Sequence, residues 1–285
     1  MSPPSELTAT PGAATHIAPG VLRLTAPNPG LMTGPGTNSY IIGEPDCVVL
    51  DPGPDIESHV SALVRAAPGR IGWIVLTHTH PDHSPAAMRL KAATRATIAG
   101  RTAPEDGRQD LLTRIDRVVH EGETIGSGAA QLRAIATPGH ASNHVCYLHA
   151  ASGLLFSGDH ILNGSTTVIL PPDGDMAEYL AALAHLRLQT MTAIAPGHGD
   201  LIRDPVRAID ALIAHRLARE SKTLARLKAA GRATLAALLP LVYDDVSPAL
   251  HEWARFSLEA HLIKLEREGR ATLTGAHWAA VGPER

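Results

Sequence analysis

Residues 76–84 read LTHTHPDHS and place three histidines and one aspartate within six positions. The stretch begins on the last residue of the apolar run WIVL at 73–76, which is typical of a buried strand. His78 and His80 are two positions apart, so in an extended segment both side chains point to one side. The proline that follows bends the chain and lets the next two polar side chains face a second position. Such a group directly after a strand predicts a metal site.

Three later strand-like runs, IATPGH, LLFSGD and AIAPGH, also end in a glycine followed by a potential ligand. Together the potential metal ligands are His78, His80, Asp82, His83, His140, Asp159 and His198. Ligands at strand ends are held by the sheet while the following loops stay open to substrate. A solitary histidine is more often a surface or core residue, and that interpretation suits nine of the sixteen histidines. A helix cap at Asp82 or Ser84 would explain one residue of the cluster and leave the others unexplained.

The ligand set indicates two metal ions. Seven ligands exceed the needs of one tetrahedral ion but suit two ions about 3.5–4 Å apart that share a hydroxide. The predicted division gives the first ion His78, His80 and His140, the second ion Asp82, His83 and His198, and makes Asp159 the bridge. Asp82 and Asp159 are also the predicted catalytic residues, with Asp82 orienting the hydroxide. Imidazole and carboxylate ligands favour two Zn²⁺ per chain, with iron or manganese as alternatives.

The remaining patterns predict an α/β protein. Short apolar runs between Gly and Pro turns alternate with helical patterns at 56–67, 85–94 and 176–188. A long helix is predicted at 205–230, followed by short helices and a closing hairpin. The predicted division is a loose lead-in at 1–20, a catalytic domain at 21–202, a connecting helix at 203–231 and a winged-helix-like domain at 232–285.

Composition excludes some classes of partner. The 285 residues have a formal net charge of −3, so no global basic field steers nucleic acid to the chain. No apolar run approaches the roughly 20 residues of a membrane span, and no signal-peptide pattern opens the sequence. Cys47 and Cys146 lie in apolar runs, which indicates buried reduced thiols. These features predict a soluble, cytoplasmic protein without a membrane partner.

The motifs HTHPDH, PGH, SGD and PGHG, in this order, resemble the metallo-β-lactamase superfamily, as do GPGTNSY and VVLDPGP. The resemblance covers residues 21–202 and implies a four-layer αβ/βα sandwich with the metals at one sheet edge. Residues 241–271 resemble the winged-helix tail of the β-lactamase-like protein 2 group. One departure is HSPAA, where the family more often has Gly-Gly after the last histidine of the first motif.

Three further residues are candidates for supporting roles. Asp51 ends a strand and resembles the family's acidic residue behind the metals, which implies that it orients a ligand histidine. The alternative is a turn-forming aspartate before Pro52. His144 and His160 adjoin ligands, and each is a candidate for a proton donor, a substrate contact or a supporting residue.

The resemblance implies hydrolysis, with a metal-bridging hydroxide attacking an ester-type bond of a small molecule (thioester or lactone), as in glyoxalase II. Metal-dependent cleavage of single-stranded RNA is the alternative implied by the β-lactamase-like protein 2 group, and β-lactam hydrolysis is a third.

A winged helix often binds nucleic acid, yet residues 232–285 contain six Lys or Arg against seven Asp or Glu. Residues 203–231 contain seven against three, which predicts a modestly basic helix face. The tail is otherwise a packing or dimerisation element, so a homodimer stays open. A non-enzymatic protein would not be expected to keep all seven ligands, and an iron-dependent dioxygenase would use fewer of them.

Overall fold

The computed structural model of the chain describes residues 11–281. Its strands are β1 (Ala14–Ala18), β2 (Val21–Thr25), β3 (Asn38–Ile42), β4 (Asp46–Leu50), β5 (Arg70–Val75), β6 (Thr97–Gly100), β7 (Arg117–Val118), β8 (Thr124–Ile125), β9 (Leu132–Ala136), β10 (Val145–His149), β11 (Leu154–Gly158), β12 (Ala193–Pro196), β13 (Arg232–Thr234), β14 (Ala271–Thr274) and β15 (His277–Ala280). Its α-helices are α1 (Glu57–Ala66), α2 (Ala86–Thr94), α3 (Met176–Arg187), α4 (Pro205–Ala230), α5 (Leu235–Val242) and α6 (His251–Arg267).

Two compact units make up the chain. The first comprises the residues up to Thr137 together with Asn143–Thr167 and Leu188–Val206. The second comprises Pro138–Ser142, Val168–Arg187 and the residues from Arg207 onward. The domain limits expected from the sequence stay a prediction.

Two sheets dominate the first unit. The seven-stranded sheet runs β1-β2-β3-β4-β5-β6-β7, antiparallel up to β4 and parallel beyond it. The five-stranded sheet runs β12-β11-β10-β9-β8 and is antiparallel except for the β11–β12 pair. In the parallel strands β4 and β5 the segments that follow the strands leave at the same edge, and the cluster of potential ligands begins there.

Strict alternation of apolar side chains builds the core of this unit. Tyr40 and Val75 of the first sheet share one buried cluster with Val145 and Phe156 of the second. The intervening positions of the first sheet, such as Ile74, pack instead with the helices α1 and α2. Both faces of β3, β4 and β5 are therefore buried, which fixes their register and the position of the residues that follow β5.

The second unit has its own apolar core, to which Leu227 of α4, Leu238 of α5, Leu262 of α6 and Trp278 of β15 contribute. The small sheet β13-β15-β14 closes it, as the predicted hairpin requires. Asp175 caps α3, because its carboxylate accepts hydrogen bonds from two backbone N–H groups at 2.8 and 3.0 Å.

Most predicted elements match the structure within a few residues, with clear exceptions. The loose lead-in is wrong for Ala14–Ala18, which forms β1 and pairs with β2. The side chains of β1 are mostly exposed, and main-chain hydrogen bonds hold the strand in the sheet. Its sequence therefore has no apolar pattern from which a strand could be predicted. The sequence RVVHEG at 117–122 is typical of a strand, but only Arg117–Val118 forms one, as β7. The sequence SPA at 247–249 is typical of a capped helix start, but Ser247 precedes a 3₁₀ turn and makes no capping hydrogen bond. Residues 1–10 lie outside the described part of the chain.

No helix within residues 11–281 combines the length and apolarity needed to cross a bilayer.

Candidate metal centre

The first two ligand candidates face each other. His78 and His80 follow β5, and His78 Nε2 lies 3.0 Å from His80 Nδ1. The two rings meet edge to face, with centroids 4.5 Å apart. These two nitrogens are therefore the atoms that could share one ion.

Hydrogen bonds behind His78 fix which ring nitrogen carries its proton. Asp51 accepts from the Thr77 backbone N–H and from the Thr77 hydroxyl, both at 2.7 Å. Because the Thr77 hydroxyl donates its hydrogen to the carboxylate, its oxygen must accept a hydrogen bond from His78 Nδ1, which lies 3.0 Å away. The Nε2 lone pair of His78 thus points to the site.

The same carboxylate orients a second ligand candidate. Asp51 Oδ2 lies 3.0 Å from His83 Nδ1, which leaves His83 Nε2 as the coordinating nitrogen. Asp51 is buried and has a φ of 46°, a left-handed backbone conformation that is uncommon outside glycine. The structure thus brings Asp51 behind two ligand candidates, as expected if it orients them.

Four ligand atoms from three strand ends converge at a second point. His83 Nε2 lies 3.2 Å from Asp159 Oδ1 and 3.6 Å from Asp82 Oδ2. His198 Nε2 lies 3.1 Å from Asp82 Oδ2 and 3.3 Å from Asp159 Oδ1. All four atoms fall within 4.8 Å of one another. This set has the composition and spacing of a divalent-metal site.

His198 is held by the segment that precedes β3. Its Nδ1 donates to the Gly36 carbonyl at 3.1 Å, so Nε2 again faces the carboxylates. Asn38 fastens the two segments together: its backbone N–H donates to the Gly197 carbonyl at 2.7 Å and its side chain to the Gly199 carbonyl at 2.8 Å. The segment TGPGTNSY at 33–40 therefore supports a ligand candidate.

Electrostatics at this point favour positive charge. Burial opposes protonation of His198, but the Asp159 and Asp82 carboxylates outweigh it and raise the pKa of His198 to about 10. Burial also opposes protonation of His83, yet the same two carboxylates raise its pKa well above the usual value. Because the carboxylates stabilise a cation here, a divalent ion held by the neutral imidazoles could take the place of these protons.

The glycines before two ligands are required by close packing. A Cβ at Gly197 would lie 2.7 Å from Asp159 Oδ1 and 2.8 Å from His83 Cε1. A Cβ at Gly158 would lie 2.5 Å from Thr77 Oγ1, and its φ of 47° also favours glycine. The recurring Gly-His and Gly-Asp pairs in the sequence thus reflect how tightly the ligands are packed.

His140 belongs to the second compact unit and is described there. Its Nδ1 lies 2.8 Å from the Val168 carbonyl, so Nε2 is the nitrogen available to a metal. Gly139 has a φ of 132°, and a Cβ there would lie 2.4 Å from the Tyr179 backbone. The assignment of His140 to the first ion stays a prediction.

His144 and His160 are both buried. His144 Nδ1 lies 2.8 Å from Thr137 Oγ1, and its ring centroid lies 5.0 Å from that of His78 and 5.6 Å from that of His160. Their burial favours a supporting role over direct contact with substrate, and either role stays a prediction.

Sequence reasoning missed the residues that set the tautomers. Thr77 and Gly36 act through a hydroxyl and a backbone carbonyl, and neither group belongs to a typical ligand type. The position of Thr77 directly before the first histidine was the available signal, because a hydroxyl there can reach the adjacent ring.

The donor set suits metal ions of borderline hardness. Each of His78, His83 and His198 donates its Nδ1–H to a carbonyl, hydroxyl or carboxylate oxygen, an arrangement typical of histidines that bind metal through Nε2. The two converging carboxylates complete a nitrogen and oxygen site of the kind that binds zinc or iron.

Comparison with known proteins agrees with this geometry. Residues 32–198 match the family described as Metallo-beta-lactamase superfamily, and residues 234–278 match the Beta-lactamase associated winged helix domain. A Drosophila melanogaster protein named Beta-lactamase-like protein 2 homolog is 31% identical over 273 residues, covering 90% of this chain and 91% of the relative. Thioesterase pkgB from Emericella nidulans is 32% identical over 211 residues, covering 73% of this chain and 58% of that relative.

A solved structure of a beta-lactamase domain protein from Burkholderia ambifaria superimposes with a TM-score of 0.79 at 21% sequence identity, covering 98% of this chain and 96% of that one. This likeness confirms the predicted fold class, including the winged helix at the C-terminal end. Together with the histidine and aspartate cluster, the family match over residues 32–198 identifies a metal-dependent hydrolase, and the chain belongs to the metallo-β-lactamase superfamily.

Proposed function

We propose that the chain hydrolyses an ester-type bond of a small molecule, a thioester or a lactone, with two divalent metal ions. The observation that carries the proposal is the convergence of Asp82, His83, Asp159 and His198, in which two carboxylates meet two correctly oriented imidazoles. The thioester preference is supported by the relative named as a thioesterase, which is 32% identical to this chain.

Zinc is the proposed metal, with iron or manganese as alternatives. His78, His80 and His140 would hold the first ion, and Asp82, His83 and His198 the second, with Asp159 shared between them. The mixture of imidazole nitrogen and carboxylate oxygen donors supports zinc, which accepts both. Bound divalent ions would supply a hydroxide at neutral pH and polarise the substrate's carbonyl oxygen.

Asp82 is the most exposed of the four residues that converge at the second point. Its side chain is 29% exposed, against 13% for Asp159 and 6% for His198. Among these four residues, Asp82 is therefore the one that solvent reaches most readily. The Asp82 carboxylate can orient the attacking water, accept its proton and pass the proton to the departing thiolate or alkoxide.

The imidazoles need little rearrangement during such a reaction. Asp51 fixes His83 and, through the Thr77 hydroxyl, His78, so both rings are locked by groups that are themselves buried. Prior orientation of this kind reduces the reorganisation that accompanies charge development at the reacting carbonyl.

Cleavage of single-stranded RNA has less support. Three of the seven basic residues at 203–231, namely Arg219, Lys222 and Arg226, form ion pairs with Asp244 or Asp245. The basic helix face expected at 203–231 is thus partly neutralised by carboxylates of residues 232–285, which leaves less positive charge for phosphate contacts.

A substrate panel tests the proposal. Protein with measured metal content is assayed on a glutathione thioester, an acyl-homoserine lactone, a cephalosporin and a single-stranded RNA, each with and without chelator. The proposal predicts chelator-sensitive turnover of the thioester or lactone that is lost in His83→Ala. Chelator-sensitive cleavage of the RNA or the cephalosporin alone would overturn it.

A further inference from the structure

Asp110, like Asp51, is a buried carboxylate near the ligand candidates. Unlike Asp51, it has no part in the mechanism proposed above. It lies between β6 and β7 in the first compact unit and is 9% exposed. It belongs to none of the groups that converge on a metal position among residues 11–281. Its contacts nevertheless lead to both ends of the ligand-bearing stretch 78–83.

The side chain of Asp110 holds the residue that follows the last ligand of this stretch. Asp110 Oδ2 accepts from the Ser84 hydroxyl at 2.7 Å and from the Thr113 hydroxyl at 2.5 Å. Asp110 Oδ1 accepts from the backbone N–H of Leu112 at 2.9 Å. Ser84 is fully buried and directly follows His83.

The backbone around Asp110 holds the other end. The Asp110 backbone N–H donates to the Thr79 carbonyl at 2.7 Å. The Thr79 hydroxyl donates to Gln109 Oε1 at 2.8 Å and accepts from Asn143 Nδ2 at 2.7 Å. Thr79 stands between His78 and His80, whose rings face each other, while its own side chain contacts Gln109 and Asn143. The segment 109–113 therefore lies behind the ligands.

Asp110 is charged when it makes these bonds. Burial raises the pKa of its carboxyl group, but hydrogen bonds from Thr113 and Ser84 more than compensate, and the net pKa is lowered. A hydroxyl bonded to a carboxylate forms a shorter and stronger hydrogen bond than one bonded to a neutral acceptor. The hydrogen bond from the Ser84 hydroxyl to Asp110 therefore restrains the position of Ser84 strongly.

Ser84 supplies the donor and Asp110 the acceptor, so this bond links the ligand-bearing stretch to a residue 26 positions further along the chain.

We propose that Asp110 is a positioning residue for the metal centre, which holds residues 78–83 in the spacing needed for two ions through Ser84 and Thr79. The inference rests on the proposed function in that the centre it supports is the proposed hydrolytic centre. Asp110 does not touch a ligand, and its effect on the metals passes through Ser84 and the backbone at Thr79.

A purely local role for Asp110 makes a different prediction. Its bonds to Leu112 and Thr113 close a turn in the segment 109–113, and a residue that only closes a turn would affect stability alone. The spectrum of a bound metal separates the two roles, because it reports ligand geometry in the folded, loaded protein.

The experiment uses the full chain loaded with Co²⁺ and compares Asp110→Asn, Ser84→Ala and the double variant with wild type. Asp116→Asn is the matched control, since Asp116 lies in the same connection but bonds Lys91 and the Ile98 N–H. Visible absorption of bound Co²⁺, metal retained under graded chelator, thermal unfolding and steady-state kinetics are measured on each.

We expect Asp110→Asn and Ser84→Ala each to change the Co²⁺ absorption and to weaken metal retention about 10-fold. The double variant should be no worse than the worse single variant, because both act through one bond. The kcat on the substrate should fall more than KM rises. Asp116→Asn should keep the wild-type spectrum.

An unchanged Co²⁺ spectrum and unchanged metal retention in Asp110→Asn, with only a lower unfolding temperature, would overturn the inference. So would additive effects of the two substitutions. If wild type binds two metals but hydrolyses no member of the panel, the proposed function fails, while the spectrum and metal retention still decide the role of Asp110.

Discussion

Buried carboxylates are balanced differently in the two compact units. In the second unit Glu220 meets Lys264 at 2.7 Å and Arg270 at 2.9 Å, so side chains that are permanently cationic neutralise it. In the first unit Asp159 faces His83 and His198, which are cationic only when protonated. A carboxylate among basic side chains therefore supports the fold, whereas one among imidazoles marks a site for a cation.

Two buried histidines carry the same contrast. The carboxylates around His198 raise its pKa to about 10 against the effect of burial. Burial lowers the pKa of His261 in α6 well below the usual value, and the charges of Arg216 and Lys264 lower it further. The Glu220 carboxylate lies 4.0 Å from His261 Nδ1, but Lys264 and Arg270 neutralise it. Similar burial therefore gives opposite charge states, and the sign of the neighbours decides between them.

Removing the shared carboxylate should have the largest effect. We expect Asp159→Ala to lose bound metal and to reduce kcat by more than about 100-fold, because His83 and His198 lose one of the two carboxylates that face them. Elemental analysis after dialysis and the substrate assay measure both quantities on the same protein. Asp245→Asn, which alters a carboxylate in the other unit, is the control and should keep both. Full activity with two metals retained in Asp159→Ala would contradict the bridging assignment.

Asp51→Asn should have the next largest effect. The amide can no longer accept firmly from both the Thr77 hydroxyl and His83 Nδ1, so the orientation of two ligand rings loosens. We expect metal affinity or kcat to fall about 10- to 100-fold, as is usual when a group behind a metal ligand is removed. Chelator competition and kinetics on loaded protein measure the two separately. If neither changes, Asp51 serves only the turn before Pro52.

Much of this arrangement could be predicted from the sequence. The strand-end motifs indicated the α/β fold and pointed to Asp82, His83, Asp159 and His198, which the structure brings together from the end of β5 in one sheet and the ends of β11 and β12 in the other. The close packing of the ligands could also be predicted from the glycines that precede two of them, because a side chain at Gly197 would collide with Asp159 and one at Gly158 with Thr77.

Other parts were beyond single-sequence reasoning for physical reasons. β1 is held by main-chain bonds, which every residue type can make. The Ser84–Asp110 bond joins residues 26 positions apart, and no local pattern couples them. The basic character of 203–231 was visible, but its pairing with Asp244 and Asp245 depends on how α5 packs.

The contrast between the two histidines predicts a pH effect of moderate size. His261 has a lowered pKa when folded, so the unfolded chain binds more protons as pH falls below about 6.5, and stability is lost in that direction. His261→Leu should therefore lose less stability than wild type between pH 7.5 and pH 5.5. Urea unfolding of chelator-treated protein measures this without interference from metal release.

The control for the pH prediction is His120→Leu, which removes an exposed histidine. Its loss of stability between the two pH values should match that of wild type. If His261→Leu loses as much stability as wild type between the two pH values, burial and its cationic neighbours do not hold His261 neutral. The contrast between His261 and His198 would then be wrong for His261.

The smallest expected effect concerns the ion pair between Arg219 and Asp245, which lowers the positive charge of the helix face at 203–231. Arg219 is nearly buried and binds Asp245 through two bonds of 2.7 and 2.9 Å. A double-mutant cycle with Arg219→Met and Asp245→Asn should give a coupling of about 1 kcal/mol in urea unfolding, because Asp245 is 57% exposed and solvent screens the pair. The Lys222–Asp244 pair, whose cation is more exposed than Arg219, should couple less. Equal coupling in both pairs would mean that burial of the guanidinium does not strengthen its bond. Coupling near zero in both would leave the arginine charge available to phosphate, so the same variants would then be compared for single-stranded RNA binding.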